Sequence, residues 1–363
     1  MLTIRMLLIF IVSLSFIGCQ SEPLKAAKLT AAPWPEADAL FHQDPNWLGS
    51  DCAYSIVLGN DRVLWLFGDS FIATSDKRVR SESRMVRNSI AIQTGYDPTT
   101  ADIDFFWRKD NGSPSSFFSE DGELWLWPGH GIRLEDKLLI FMMVMSADGD
   151  WFKSAGWRAV MITNPDDEPA SWKLNWLESP SNEFNVVTGS GGVVKLDNEV
   201  FAFGSEEPGE HDIFLAKWPI SQITEGDLSN PSWHTRNGWV MQNDLESTPD
   251  PVFHNGQTEF TVHYEPALNK YVEIQTVGFG KSDIVFRTAD SLIGSWSKVE
   301  SFYRPQEYDW EDIMIYSAKA HPELSGADFV VTYCTNSFKF NTLVHDDRLY
   351  YPRFLKVEVL EKN

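Results

Sequence analysis

Three Ser-Trp dipeptides recur at nearly equal intervals between residues 171 and 296 of the chain. They place Trp172, Trp233 and Trp296 at intervals of 61 and then 63 residues, and each follows an apolar segment and a turn that contains Pro or Gly. Such an interval is long enough for a unit of about four strands, with the tryptophan in the outer strand. We therefore expect repeats of one antiparallel unit.

A second series of strand-like segments has similar spacing. Its five members are LWLFGDS, LIFMMVMS, VFAFGSE, FTVHYEP and VVTYCTN. Short apolar or alternating runs between Gly, Pro, Asn and Asp turns, with little helical periodicity, are typical of all-β proteins. Five units of about four strands favour a five-bladed β-propeller from about Trp47 to Val359. A pair of β-sandwiches or a β-helix is the alternative, which the phase of the tryptophans disfavours.

The N-terminal segment resembles a bacterial lipoprotein signal. Arg5 precedes an apolar run that is too short to span a bilayer, and the small residue Gly18 lies directly before Cys19. We expect residues 1–18 to be a signal peptide and Cys19 to carry a lipid. A spanning helix or an ordinary secretory signal is the alternative.

The residue after the predicted cleavage site, Gln20, favours sorting to the outer membrane. A polar stretch with Ala and Pro follows it. Residues 19–36 would then be the lipidated cysteine and a tether, and residues 37–363 the propeller domain.

Charge and cysteine content restrict the partners. The formal net charge is −22, which argues against nucleic acid and anionic lipid surfaces as binding partners. Besides Cys19 the chain contains Cys52 and Cys334, which could form one disulfide in an oxidising compartment. Because no CxxC spacing occurs, we expect no structural zinc site, and no motif indicates a cofactor.

A very apolar predicted hairpin carries an acid at each open end. Asp51 begins the first strand of the segment SDCAYSIVLGNDRVLWLFGDSF, and Asp69 ends the second. If Asn60 is the centre of a three-residue turn, Asp51 lies directly opposite Asp69, with Cβ atoms roughly 4.5–5.5 Å apart. A two-residue turn would instead pair Asp51 with Ser70.

Two opposed carboxyl groups in apolar surroundings differ in their acidity. Desolvation and the neighbouring charge both raise the pKa of one of them, so that one acid is protonated while the other is ionised. Glycoside hydrolysis uses such an acid and base. Asp51 and Asp69 are therefore the candidate catalytic residues. The alternative is that either aspartate caps a turn or binds a backbone amide.

Several motifs carry a resemblance to a known family. GSD, RVLWLFGDSF, RMVRNSIAIQ, WPGHGI, YEPALNKYVEI and RTADSLIGSWS resemble a bacterial family of five-bladed propellers, long described as a domain of unknown function, that includes endo-D-arabinanases. The resemblance covers nearly the whole mature chain and implies Asp51 and Asp69 as the acids. Cys52 stands where a small residue such as Gly is common, and Ser70 where Thr is common. Because members differ in substrate, the resemblance implies a glycan-active propeller more strongly than arabinan.

In a propeller, residues at the same end of the inner strands converge on a shallow funnel around the central channel. Four polar residues are candidates for the lining of this funnel. Asn88 could hydrogen-bond a sugar hydroxyl, and Arg87 could pair with Asp69. His130 lies in a Gly/Pro bend that enters blade two, and His321 is predicted to open blade five. The alternative is that Arg87 is a solvated strand residue and that both histidines are structural.

Two further acids and two aromatic residues complete the candidate site. Glu206 and Glu265 are predicted to end the second strands of blades three and four, near the level of Asp69, where either could be a third acid or a surface carboxylate. Trp127 and Tyr264 could stack on sugar faces.

The sequence contains no GxSxG, HExxH or Walker motif. The preferred hypothesis is a lipid-anchored, extracytoplasmic glycoside hydrolase that acts as a monomer on a polysaccharide or oligosaccharide, without a cofactor. One alternative is a non-catalytic lipoprotein that binds oligosaccharide for import. Another is a scaffold with an inactive funnel.

Overall fold

A computed structural model describes residues 28–119, 122–149, 151–177, 179–180, 184–278 and 280–360. The predicted signal peptide and Cys19 lie outside these residues. Among the residues that are described, the longest α-helix has six residues, and none is long and apolar enough to cross a bilayer.

Most of the described chain forms five small antiparallel sheets, the blades of a five-bladed β-propeller, which confirms the predicted fold. The strands are, before the first blade, β1 (Leu29–Pro33); in blade 1, β2 (Trp47–Gly59), β3 (Arg62–Ala73), β4 (Ser83–Val86), β5 (Ser89–Thr94) and β6 (Asp102–Phe106); in a separate hairpin, β7 (Arg108–Asp110) and β8 (Ser113–Ser115); in blade 2, β9 (Trp125–Leu134), β10 (Lys137–Asp148), β11 (Trp151–Ile162) and β12 (Leu174–Leu177); in blade 3, β13 (Val186–Leu196), β14 (Glu199–Glu206), β15 (Ile213–Pro219), β16 (Ser232–Thr235) and β17 (Gly238–Met241); in blade 4, β18 (Thr261–Glu265), β19 (Lys270–Thr276), β20 (Ile284–Ala289) and β21 (Glu300–Tyr303); and in blade 5, β22 (Ile313–His321), β23 (Phe329–Ser337) and β24 (Arg353–Val359).

Short helices connect some of these strands. The α-helices are α1 (Pro35–Asp38), α2 (Ile220–Thr224) and α3 (Phe340–His345). Single 3₁₀ turns span Ala39–His42, Arg80–Glu82, Pro169–Ser171, Gln242–Asp244 and Gln306–Asp309.

Both ends of the chain build blade 5. Strand β1 pairs with β24 in antiparallel register from Leu29 opposite Val359 to Pro33 opposite Leu355. This pairing closes the ring, because the outer strand of the last blade comes from the start of the chain. The tether predicted over residues 19–36 is therefore wrong in its second half. Residues 29–33 are part of the propeller, because their backbone hydrogen bonds are made with β24.

The tryptophan series marks outer strands, as the sequence indicated. Trp172 lies two residues before β12, Trp233 lies within β16, and Trp296 precedes β21. Four members of the segment series form the second strand of their blade, but the member in blade 4 does not. There FTVHYEP forms β18, the inner strand, rather than the second strand.

The inner strands β2, β9, β13, β18 and β22 surround the central channel. Because each blade begins with its inner strand, the first residues of all five lie at one face of the ring. We call this face the acid end, and the face where these strands finish the cavity end.

Tyr54 of β2 crosses the centre of the channel. Its hydroxyl donates to the carbonyl oxygen of Ser190 in blade 3. Its ring stacks on His130 of blade 2 at 5.5 Å between centroids, and the ammonium of Lys319 from blade 5 lies 4.3 Å from the ring centroid. A buried tyrosine that contacts three other blades fills the space between the two ends of the channel.

Candidate functional site

The β2–β3 hairpin places Asp51 directly after the pair Ser50–Ser70, at an irregularity before Cys52, and Asp69 directly before Ser70. Its pairs include Ser50 with Ser70 and Tyr54 with Leu66, the register predicted for a three-residue turn. The turn itself has two residues between Gly59 and Arg62, and an irregularity beyond Val57 restores the register. Asp51 therefore lies near Asp69 at a break in the ladder, and the turn is the two-residue alternative that the sequence left open.

Backbone geometry turns the Asp51 side chain onto β3. Cys52 and Ala53 have φ values of +75° and +60°, and the regular pairing is interrupted on both sides of Cys52. A β-carbon on Gly68 would collide with Oδ1 of Asp51. The glycine of the Phe-Gly-Asp motif thus makes room for the Asp51 carboxyl beside Asp69, at a site that stores backbone strain.

Two tyrosines from blade 5 bind the Asp51 carboxyl. The hydroxyl of Tyr316 donates to Oδ2 at 2.7 Å, and the hydroxyl of Tyr350 donates to the same oxygen at 3.3 Å. Burial raises the pKa of Asp51 to about 8, and the negative charges of Asp69 and Glu259 add to the shift. The Asp51 carboxyl is therefore mostly protonated at neutral pH.

Asp69 lies among groups that stabilise its ionised form. The indole N–H of Trp127 donates to Oδ1 at 2.9 Å, and the Arg87 guanidinium donates to Oδ2 at 3.2 Å. Burial raises the pKa of Asp69 above its usual value, although the positive charge of Arg87 and the two hydrogen bonds oppose this shift. The Asp69 side chain is 15% exposed, so a ligand can reach it. Arg87 makes the ion pair that was expected.

Two charged residues at the acid end were not predicted. Lys319 of β22 is fully buried, and its ammonium donates to the carbonyl oxygen of Cys52 at 2.8 Å, to Glu259 Oε1 at 3.4 Å and to the Ser317 hydroxyl. Glu259 lies two residues before the inner strand of blade 4, and its side chain is 20% exposed. Correct phasing of blade 4 would have placed Glu259 at the start of the inner strand, at the acid end, but no sequence signal identifies Lys319.

Asn88 does not line the funnel. It is fully buried, and its amide nitrogen donates to the carbonyl oxygens of Phe118 at 2.8 Å and Leu126 at 2.9 Å. Its amide oxygen accepts from the Phe118 N–H at 2.7 Å. Because these bonds occupy the whole amide group, Asn88 holds the chain entering blade 2 and does not meet a sugar.

The two predicted histidines have structural contacts. His130 lies within β9, where Nδ1 accepts from the Val193 N–H at 2.9 Å and Nε2 lies 3.3 Å from the Ser55 carbonyl oxygen. Burial lowers the pKa of His130 to about 4. His321 ends β22 rather than opening blade five, is fully buried, and contacts the hydroxyls of Ser55 at 2.5 Å and Thr332 at 2.7 Å. Neither histidine contacts the aspartate pair.

Two other predicted residues lie at the cavity end. Glu265 and Tyr264 finish the inner strand of blade 4, so they lie at the face opposite Asp69. Glu265 accepts from the Ala267 N–H at 2.9 Å, and the Tyr264 hydroxyl donates to Asn269 at 2.5 Å. The prediction that they join the acid site is wrong, because β18 was taken for a second strand.

Glu206 does end a second strand, β14, at the acid end. Its carboxylate accepts from the Glu210 N–H at 3.1 Å within the next turn.

Cys52 and Cys334 are both buried free thiols, so the considered disulfide is not formed in the structure.

The two ends of the ring each have a cavity. The larger, about 600 Å³, lies at the cavity end between residues 55–60 and 130–133, beside Glu323. The smaller, about 400 Å³, lies at the acid end beside Trp310, Asn336 and Arg348. We place the candidate site at the acid end, because the two carboxyls with different partners lie there.

Comparison with solved structures supports the fold. The chain is similar to a candidate hydrolase from Bacteroides ovatus ATCC 8483, with 15% identity, a TM-score of 0.72 and 93% of each chain covered. It is also similar to a family 117 glycoside hydrolase of the marine bacterium Zobellia galactanivorans, with 10% identity, a TM-score of 0.51 and coverage of 93% and 92%. A protein of unknown function from Dyadobacter fermentans DSM 18053 has 10% identity, a TM-score of 0.50 and coverage of 92% and 98%.

No curated protein matches the sequence. A family model, the domain of unknown function DUF5005, matches residues 36–359. This match extends from just after β1 to the last residue of β24 and therefore includes all five blades. The chain belongs to the DUF5005 family.

Proposed function

We propose that this protein is a glycoside hydrolase that cleaves a polysaccharide or oligosaccharide at the acid end of the propeller. The observation that carries the proposal is the pair Asp51 and Asp69, adjacent carboxyls whose partners differ. Asp51 receives hydrogen bonds from two neutral phenols, and Asp69 receives bonds from a guanidinium and an indole. Such a difference separates an acid from a base in one site.

The two aspartates would divide the reaction between them. Asp51 gives its proton to the glycosidic oxygen as the bond from that oxygen to the anomeric carbon breaks, and the bonding electrons stay on the oxygen. Asp69 acts on the opposite side, either as the nucleophile at the anomeric carbon or as the base that activates a water. The separation of the carboxylates decides between retention and inversion of configuration.

The similarity to a glycoside hydrolase supports the proposal by analogy only, because one fold carries many activities. Arabinan is a possible substrate through the family resemblance of the GSD and FGDSF motifs. The acidic chain, at −22, disfavours strongly anionic polysaccharides, since like charges repel at long range.

The test is to incubate the folded domain with a panel of polysaccharides, arabinans included, and to measure released sugars. We expect Asp51→Asn and Asp69→Asn each to reduce turnover by about 10³-fold or more, because each removes a group that acts in the transition state. Circular dichroism should show an unchanged fold. Glu206→Gln is the matched control, because Glu206 lies at the same end and bonds only its own turn among the contacts described.

Full activity in either aspartate variant would refute the assignment. Glycan binding by the wild-type protein without any product after long incubation would instead favour a binding lipoprotein.

We also propose that the protein is anchored to the outer membrane through Cys19. The signal-like segment before Cys19 and Gln20 after it support this location. Metabolic labelling with a radioactive fatty acid should label the wild-type protein and not the Cys19→Ala variant. Equal labelling of both would contradict the anchor.

A further inference from the structure

The partners of the two aspartates lie on different sides of the site. Asp51 is bound from blade 5, by Tyr316 of β22 and by Tyr350, which precedes β24. Asp69 is bound from the other side, by Trp127 of blade 2 and by Arg87 in blade 1. Asp51 thus faces blade 5, and Asp69 faces blade 2.

A cavity of about 400 Å³ opens on the blade 5 side. This volume is within the range of roughly 300–1,000 Å³ that is usual for ligand pockets. Asn336 in its lining donates to the Tyr316 hydroxyl at 3.3 Å, and that hydroxyl in turn donates to Asp51. Leu349, also in the lining, directly precedes Tyr350. The cavity therefore adjoins the groups that hold the proton donor.

The lining favours a neutral ligand. Lys339 pairs with Asp312 at 2.5 Å, and Arg348 pairs with Asp346 at 2.7 Å. Glu311 adds a further negative charge to the lining. Because both cations are paired with carboxylates, an anionic sugar would meet a net negative surface.

The lining also offers an aromatic ring and hydrogen-bonding groups. Trp310 is half-buried, with the Arg348 guanidinium carbon 4.5 Å from its ring centroid. Thr342 and Asn336 contribute polar atoms. An aromatic ring with neighbouring amide and hydroxyl groups suits the mixed surface of a sugar ring.

We propose that this cavity binds the leaving-group sugar, so that the reducing-end part of a neutral glycan lies over blade 5 and the non-reducing part lies over blade 2. The inference rests on the proposed hydrolase function. The proton from Asp51 goes to the glycosidic oxygen, which departs as an alcohol on the reducing-end fragment. That fragment must lie beside the donor whether configuration is retained or inverted.

The test uses neutral arabino-, xylo- and gluco-oligosaccharides of about two to six residues, with a fluorescent group at the reducing end. Fluorescence anisotropy measures their binding to the Asp69→Asn variant, which does not turn them over. We expect Trp310→Ala and the cavity-filling Thr342→Trp to weaken binding of at least one probe by about tenfold. The control Trp239→Ala should not change binding, because Trp239 also stacks with a cation, Lys217, but lies in the outermost strand of blade 3.

A crystal structure of Asp69→Asn with the same probe should place the reducing-end residue beside Trp310. Placement over Trp127, no binding of any probe, or binding that is insensitive to both cavity substitutions would overturn the inference.

Hydrolysis of the unlabelled sugars by the wild-type protein separates this inference from the proposed function. If the wild-type protein hydrolyses the sugars but neither cavity substitution weakens binding, only the proposed orientation is overturned. Cavity-sensitive binding without hydrolysis leaves a sugar site but overturns both the enzyme and the leaving-group role.

Discussion

Both ends of the ring contain buried titratable residues, but the contacts of these residues differ. At the acid end, Asp51, Asp69 and Glu259 converge, and burial of Asp51 raises its pKa to about 8. At the cavity end, His321 is fully buried and its two ring nitrogens contact the hydroxyls of Ser55 and Thr332. A buried polar group with its bonding capacity used inside the protein is structural, whereas perturbed acids that a ligand can reach are candidates for chemistry.

Arg133 shows the same contrast with Arg87. Arg133 lines the larger cavity, but its guanidinium bonds the Leu58 carbonyl oxygen and both carboxylate oxygens of Asp166. Arg87 has an exposed side chain, donates to one oxygen of Asp69, and lies over the Trp125 ring with its guanidinium carbon 4.5 Å from the centroid. The size of a cavity therefore does not identify the site in this molecule.

The largest effect on stability should come from the cavity end. His321→Ala removes a fully buried ring and leaves the Ser55 and Thr332 hydroxyls without it. We expect the free energy of unfolding to fall by ~2–4 kcal/mol, measured by urea titration. Activity per folded molecule should stay at the wild-type level.

Tyr264→Phe is the control at the same end. It removes a half-exposed hydroxyl, so its effect should stay within about 0.5 kcal/mol. Loss of turnover in a folded His321→Ala variant would contradict the view that the cavity end contributes to stability and not to activity.

A smaller effect of opposite sign is expected at the acid end. The pKa of Asp51 is about 8 in the folded state and 3.8 as the reference value, so the folded state holds a proton that the unfolded state has lost between these pH values. Stability contributed by this group therefore falls as pH rises through that window. At pH 8, the free energy of unfolding of Asp51→Asn should exceed that of the wild type by ~1–3 kcal/mol. This difference should shrink below pH 4. Equal stability at both pH values would contradict the buried neutral acid.

The smallest effect concerns the pH profile. Glu259 raises the pKa of Asp51, together with Asp69, while Lys319 and the Tyr316 hydrogen bond lower it. Glu259→Gln should therefore move the alkaline limb of kcat/KM to lower pH by less than about one unit. Glu206→Gln should leave the limb in place. A shift to higher pH would show that Glu259 acts on Asp51 through some means other than its charge.

Local patterns predicted the parts of the molecule that depend on neighbouring residues. The β2–β3 register followed from one hairpin, and it placed Asp51 with Asp69. The tryptophan interval located outer strands in blades 2, 3 and 4, because Trp172, Trp233 and Trp296 each lie in or before an outer strand. These signals depend on short stretches of sequence.

The remaining site residues depend on contacts between distant segments. Asn88 and His130 are satisfied by carbonyl and N–H groups that come from other parts of the chain, and sequence does not show such partners. Blade 4 was out of phase because β18 has only five residues and resembles a second strand. That error placed Glu265 at the acid end, although it finishes the inner strand at the cavity end. Lys319 was missed because a fully buried lysine is rare.

The pairing of β1 with β24 bears on where the molecule can be cut. A version of the chain that starts at residue 37 would lack β1, the outer strand of blade 5, and would leave one edge of β24 without backbone partners. Unpaired strand edges recruit other chains and promote aggregation. Strand β1, the described strand nearest the proposed lipid anchor, is thus also the strand that closes the ring.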